Sequence, residues 1–228
     1  MSKICEGRVV IITGAGGGLG AAHARVLASE GAKVVVNDIN QAAAQAVVDD
    51  IVAAGGEAIV NTSDITNYDD SLNAVKQAIE AFGDLHAVVN NAGINRDRMF
   101  ASMTEQEWDA IMAVHLKGHF CISSHAVHYW RGQSKEGKAV DARIINTTSG
   151  AGLQGSIGQS NYAAAKAGIA ALTLNQAAEL ARYGITANAV APAARTGMTT
   201  AVESMAERMK KPEDGSFDYW APENVSSL

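Results

Sequence analysis

The chain is short of three things, and each shortage narrows what it can be. Cysteine is scarce: 228 residues hold two, Cys5 and Cys121, far apart and without partners at metal-ligand spacing. That excludes a disulfide scaffold, and the pair reads as ordinary thiols of a reducing compartment. Basic residues are outnumbered, 18 Lys and Arg against 24 Asp and Glu, for a net charge of −6. Sequence-independent binding of nucleic acid needs clustered Lys and Arg, so no nucleic-acid partner is expected. No apolar run reaches the length of a membrane span, and the first strand pattern follows too soon after Met1 to leave room for a signal peptide. The expectation is a cytoplasmic protein with no membrane partner. What the chain has in quantity is apolar. With 47% hydrophobic and 18% charged residues it can build a large core, read here as one α/β domain over 1–228.

Apolar runs alternate with helical patterns as far as about position 190. Strands are expected at 8–13, 33–37, 57–62, 86–90, 142–148 and 186–190, and helices at 18–30, 40–54, 67–82, 104–130 and 160–183. That alternation predicts a three-layer, doubly wound parallel sheet with helices on both faces. The most specific local signal is Thr13-Gly14-Ala15-Gly16-Gly17-Gly18-Leu19-Gly20, which follows Val9-Val10-Ile11-Ile12 and leads into a helical pattern. Glycines between a strand and a helix permit a tight turn, let the backbone approach a pyrophosphate, and set that anion on a helix N-terminus. Asp38 closes the second apolar run, Val34-Val35-Val36-Asn37, where a carboxylate can accept hydrogen bonds from an adenosine ribose. It can also cap the next helix.

Tyr162 and Lys166 lie four apart in a helical stretch, on one face and one turn apart. A phenol with a pKa near 10 exchanges protons poorly at neutral pH, and an adjacent ammonium is expected to lower it. Such a pair alone is a weak signal. Ser149 ends the strand Ile144-Ile145-Asn146-Thr147-Thr148, where ligands bind in open α/β sheets, although by itself it reads more readily as a helix or turn cap. His115, His119, His125 and His128 invite comparison with a metal cluster. No carboxylate or cysteine completes a set, so no metal is expected.

Together these residues resemble the short-chain dehydrogenases/reductases. The matching motifs are the glycine turn, Asp64, Asn90-Asn91-Ala92-Gly93, Ser149 with Tyr162 and Lys166, and Pro192. The resemblance covers nearly the whole chain and implies a Rossmann-type fold that binds NAD(H) or NADP(H) and moves a hydride to or from a carbinol carbon. It implies that Tyr162 is the general acid/base, that Lys166 lowers its pKa and holds the nicotinamide ribose, and that Ser149 polarises the carbonyl. It further implies a cofactor groove formed by Gly14, Gly18, Leu19, Gly20, Asp38, Asp64, Ile65, Asn90, Ala92, Gly93, Pro192 and Thr196, together with Tyr162 and Lys166. One departure stands out: in Val114-His115-Leu116-Lys117-Gly118 a histidine occupies the place of the family's usual asparagine. His115 is either part of a modified proton relay or a packed structural histidine.

Asp38 would face an NADP 2′-phosphate, and Ile39-Asn40-Gln41 brings no compensating cation, so NAD(H) is expected over NADP(H). Ile94-Asn95-Arg96-Asp97-Arg98-Met99-Phe100, Trp108-Asp109 and Ala191 to Thr199 resemble the (3R)-hydroxyacyl-CoA dehydrogenase domain of multifunctional β-oxidation enzymes. The resemblance implies a 3-hydroxyacyl thioester substrate. A 3-oxoacyl-[acyl-carrier-protein] reductase, a hydroxysteroid dehydrogenase and, further off, a non-catalytic nucleotide-binding module are the alternatives. The region 194–220 stands where the family keeps a substrate lid, and Met198, Val202, Met205 and Met209 are spaced for one face of a short helix there. Small residues along the helix from Ser160 allow close packing with a second copy, giving a homodimer or homotetramer. The family's last strand has no counterpart in the chain, so either the chain is truncated, the favoured expectation, or the sheet stops at six strands with an exposed edge. Ser226-Ser227-Leu228 is not read as a peroxisomal address.

Overall fold

The computed structural model describes residues 3–201 and 203–226, without the side chains of Met198 and Ser204. Strand β1 (Val9–Thr13) leads through the glycine turn into α1 (Gly18–Ser29), then β2 (Lys33–Asn37), α2 (Gln41–Ala53), β3 (Glu57–Asn61), α3 (Tyr68–Phe82) and β4 (Ala87–Asn90). Next come α4 (Glu105–Ile111), a π-helical stretch over Met112–Lys117, α5 (Gly118–Lys135) and β5 (Ala142–Thr147). The short α6 (Gly150–Gln154), the long α7 (Ser160–Leu180), β6 (Ile185–Val190), α8 (Gly197–Thr200) and α9 (Glu203–Arg208) follow, and a 3₁₀ turn over Pro222–Ser226 comes last among the described elements. The six strands form one sheet in the order β3-β2-β1-β4-β5-β6, and every pairing is parallel.

Period-two alternation explains the two cores. Val9, Ile11 and Val35 point to one face, where they meet Val75 and Ala78 of α3 and Ile122, Ala126 and Trp130 of α5. Val10, Ile12, Val34 and Val36 point to the other, against Ala21 and Ala24 of α1 and Val47 and Ile51 of α2. Buried polar groups are paired across the sheet: Asn146 gives its amide to Thr173 and Gln176 at 2.9 and 2.8 Å and accepts from Asn90 at 2.9 Å. On the α1 side the outermost strand is open, since Thr186 and Asn188 of β6 are exposed.

Helix starts follow local chemistry. Asn40 and Asn67 cap α2 and α3 through Ala43 N–H and Asp70 N–H, and Thr104 with Glu107 forms a capping box on α4. The helix expected over 104–130 runs on to Lys135 and is interrupted by the π stretch that carries His115. A hydrophobic pattern reports which face is buried, not where an extra residue enters the turn. The short α6 lay below the length at which a pattern shows. The single helix expected over 198–209 is two, α8 and α9; Val202 lies outside the described residues, as do Ser227 and Leu228, and the side chain of Met198 is not described.

Trp130 is buried in the first core, and its indole N–H donates to Leu85 O at 2.6 Å. Replacing it by leucine empties volume and leaves that carbonyl unpaired, a loss of about 2–4 kcal/mol. Urea unfolding checks this; an unchanged midpoint contradicts it.

Candidate active site and cofactor groove

The strand order reverses between β1 and β4, and the turns after those strands meet there, at the place where open α/β sheets bind ligands. A Cβ on Gly14 would lie 2.7 Å from Ala92 Cα, so only glycine lets the two turns touch. Thr13 ties them together, its hydroxyl accepting from the N–H groups of Asn91 and Ala92 at 3.0 and 3.1 Å. Asn91 returns its amide to Thr13 O at 3.0 Å. The first turn then opens α1 at Gly17, where no side chain caps the free N–H groups, and Gly17 and Gly18 have room for an approaching group. Asp38 braces the turn by accepting from Gly16 N–H and Asn40 N–H, both at 2.9 Å. Uncapped N–H groups, a close backbone approach and a carboxylate at the second strand end fit a dinucleotide.

A cleft of about 390 Å³ opens here and runs from Gly14, Gly18, Leu19 and Asp38 past Gly93 and Pro192 to Ser149, Tyr162 and Lys166. His115 and Thr196 also line it. Other expected groove residues stand behind this wall. Gly20 packs under Asn91, and Ala92 packs on Gly14. Asn90 spends its amide on Ser123 and Asn146 inside the sheet. Asp64 is exposed, with its carboxylate accepting from Thr66, and does not reach the cleft wall. The Ile65 side chain packs in the core, where a Cβ on Gly118 would meet its Cδ1 at 2.7 Å. An apolar side chain among the inner faces of β1 and α3 gains more from burial than from a wet groove. Asn91, Thr147, Thr148 and Thr199 line the cleft without having been singled out; Asn91 was legible as the partner of Asn90 in the motif.

The catalytic candidates arrive from β5 and α7. Ser149 follows β5, caps α6 through Ala151 N–H at 3.2 Å and lines the cleft together with Tyr162, so its cap and site readings hold together. Tyr162 stands one turn into α7, its ring edge-on to His115 with centroids 5.1 Å apart. Lys166, one turn on, is 2% exposed, with Nζ donating to Thr147 O at 2.6 Å and lying 5.6 Å from the phenol ring centroid. His115 is placed by Gly93, where a Cβ would lie 2.5 Å from the imidazole, and by Ile94, whose carbonyl is 2.8 Å from Nε2.

The electrostatics differ from expectation. The Tyr162 phenol is raised, by burial first and Asp97 last, with the neighbouring Ser149 hydroxyl opposing. Burial also pushes Lys166 down to about 7, so in the free protein it is not the full cation that would acidify the phenol. Burial first, then the charge of Lys166, lowers His115 to about 4 and leaves it neutral at physiological pH. Among the described residues no group of three His, Cys, Asp or Glu is placed to hold a metal, and no helix is long and apolar enough to cross a membrane.

A parallel six-stranded sheet with a dinucleotide-shaped groove and a serine, tyrosine and lysine at its mouth defines an oxidoreductase of the Rossmann type. Residues 8–208 match the short chain dehydrogenases, and the chain belongs to that family, which works with nicotinamide cofactors. It is 48% identical to the hydroxyacyl-CoA dehydrogenase ChsB1 of Mycobacterium tuberculosis, over 98% of this chain and 71% of that one. It is 47% identical to the peroxisomal hydratase-dehydrogenase-epimerase of Saccharomyces cerevisiae, over 78% of this chain and 20% of that much longer protein. A short chain dehydrogenase from Mycobacterium avium superposes with a TM-score of 0.87 at 55% identity, covering 98% of this chain and 76% of that structure.

Because the buried Lys166 amine must lose a hydration shell to stay charged, Lys166→Met is expected to stabilise the fold at neutral pH. The unfolded lysine titrates near 10.4 and the folded one near 7. The destabilisation is therefore complete below 7 and fades as pH rises toward 10. Urea midpoints from pH 6 to 10 check the sign; a gain that grows with pH contradicts it.

Proposed function

We propose that the chain is an NAD-dependent dehydrogenase that oxidises the secondary hydroxyl of a 3-hydroxyacyl thioester. The observation that carries this reading is that Ser149, Tyr162 and Lys166 line the same cleft as Gly14, Gly17 and Gly18 at the uncapped α1 terminus. When bound, the nicotinamide supplies the hydride acceptor. Tyr162, once ionised to the phenolate, takes the hydroxyl proton, Ser149 orients the carbinol oxygen, and Lys166, anchored on Thr147 O, holds the nicotinamide ribose. His115 serves as a neutral brace, with Nε2 engaged at Ile94 and its ring set against the phenol. The acyl thioester follows from similarity to enzymes named for hydroxyacyl-CoA chemistry.

Asp38 supports NAD over NADP, because a 2′-phosphate would bring two more negative charges beside it with no Lys or Arg in Ile39-Asn40-Gln41. The reductive alternative, an NADPH-dependent 3-oxoacyl reductase, must overcome that repulsion. The segment 194–220 acts as the lid over the substrate, hinged where Thr196 caps α8 and tied by the Arg195–Asp218 ion pair. Pairing of two copies uses the apolar strip of Met112, Leu116, Phe120 and Leu172 on α5 and α7 and the neighbouring π stretch.

Tyr162→Phe is expected to keep NADH binding, read by fluorescence titration, while losing at least about a hundredfold in turnover of 3-hydroxyacyl-CoA. Near-normal turnover overturns the role. Asp38→Ser is expected to narrow the NAD over NADP preference in kcat/KM by about tenfold or more. No narrowing overturns the charge argument.

A further inference from the structure

The segment after β6 forms the wall of the cleft opposite the glycine turn. Pro192, Ala194, Thr196 and Thr199 line it, and a Cβ on Gly18 would lie 3.6 Å from Thr196 Cβ, an ordinary contact distance. Arg195 stands between two of these lining residues and sends its side chain elsewhere. Its Nη1 donates to Met209 O at 2.8 Å and to Asp218 Oδ1 at 3.1 Å, and its Nη2 donates to Asp218 Oδ2. The backbone closes the same joint at the base of the lid, with Arg195 N–H donating to Trp220 O at 2.7 Å.

Asp218 carries the tie onward. Its Oδ1 accepts from Trp220 N–H at 3.2 Å, and its carbonyl accepts from the amide of Asn224, in the 3₁₀ turn over Pro222–Ser226, at 2.8 Å. That turn packs on α1, where Ser226 Oγ lies 2.8 Å from Nδ1 of His23, one turn beyond Leu19. Contacts therefore run in a ring, from the glycine end of α1 through Thr196, Arg195 and Asp218 and back to α1. The Arg195 and Asp218 side chains are only 24% and 15% exposed, and a forked, charge-assisted pair so shielded is stronger than a surface ion pair.

We propose that Arg195 and Asp218 are positioning residues that hold the two walls of the cleft at a fixed separation and so set its affinity for a nicotinamide dinucleotide. Neither side chain lines the cleft. Their effect reaches the cofactor through Thr196 on one wall and α1 on the other. With the pair broken, the wall at 194–199 loses its side-chain tether, the competent cleft becomes a smaller fraction of the population, and apparent affinity falls by that fraction. The inference rests on the reading of the cleft as the dinucleotide site.

The experiment titrates NADH and NADPH by fluorescence into the wild-type chain, Asp218→Asn, Arg195→Met, the double variant and Arg195→Lys, with urea midpoints to show that each is folded. Each of the first two single replacements is expected to weaken the preferred nucleotide by about two- to thirtyfold. The double variant is expected to weaken it no further than the worse single, since the second change removes a partner already lost. Arg195→Lys keeps the charge without the fork, so its affinity is expected to lie between wild type and Arg195→Met, a partial rescue. Asp218→Asn and Arg195→Lys keep a polar side chain at the joint, so they decide the matter if Arg195→Met does not fold. Unchanged dissociation constants, or losses that add in the double variant, overturn the tie and leave the cleft reading standing. If the wild-type chain binds neither nucleotide, the cleft reading fails and the tie falls with it.

Discussion

One buried contact organises the reactive half of the molecule: the Lys166 amine against the Thr147 carbonyl at 2.6 Å. It joins α7 to the end of β5 and sets the angle at which Tyr162 meets Ser149. Thr148 reinforces it by donating its hydroxyl to Lys166 O at 2.7 Å, so the lysine is held at both its head and its backbone. Close packing completes the joint, since a Cβ on Gly152 of α6 would lie 2.6 Å from Ala167 N. An amine in that position pays for its geometry with a lowered affinity for its proton. The site is therefore built at the expense of local stability, a trade commonly found where side chains are arranged for chemistry.

The second constraint is steric and belongs to the cofactor half. The turns after β1 and β4 approach so closely that a methyl group at Gly14 would collide with Ala92, and the contact is secured by hydrogen bonds from backbone N–H groups to Thr13. Once those turns are fixed, the N-terminus of α1 faces the cleft with its N–H groups free, and Asp38 holds the rim. Gly93 continues the same device toward the reactive end by making room for His115. Backbone approach at one end and a buried amine at the other thus share one wall.

The architecture was legible because its signals are local and strong. Val9 to Ile12 and Val34 to Val36 are β-branched runs covered on both faces, and the glycine turn, the Tyr162–Lys166 spacing and Ser149 each carry a steric or chemical reason that survives without coordinates. Side-chain direction was not legible. Ile65 and Asn90 sit inside groove motifs and their side chains point into the core, because sequence proximity to a strand end does not say which face a side chain takes. The π stretch at Met112–Lys117 left no trace, since one extra residue in a turn hardly alters an apolar pattern.

By itself the sequence determined the strand and helix alternation, the parallel sheet, the anion-ready turn and the residue types needed for proton and hydride chemistry, all properties of neighbours along the chain. Only the tertiary structure decided the protonation tendencies. Burial raises the phenol and lowers the lysine, reversing the simple expectation of an ammonium acidifying its neighbour, and burial is a property of everything packed around a group. It likewise decided that Gln159, 62 positions after Asp97 in the chain, gives its amide to that carboxylate, a hydrogen bond between segments that no spacing rule connects.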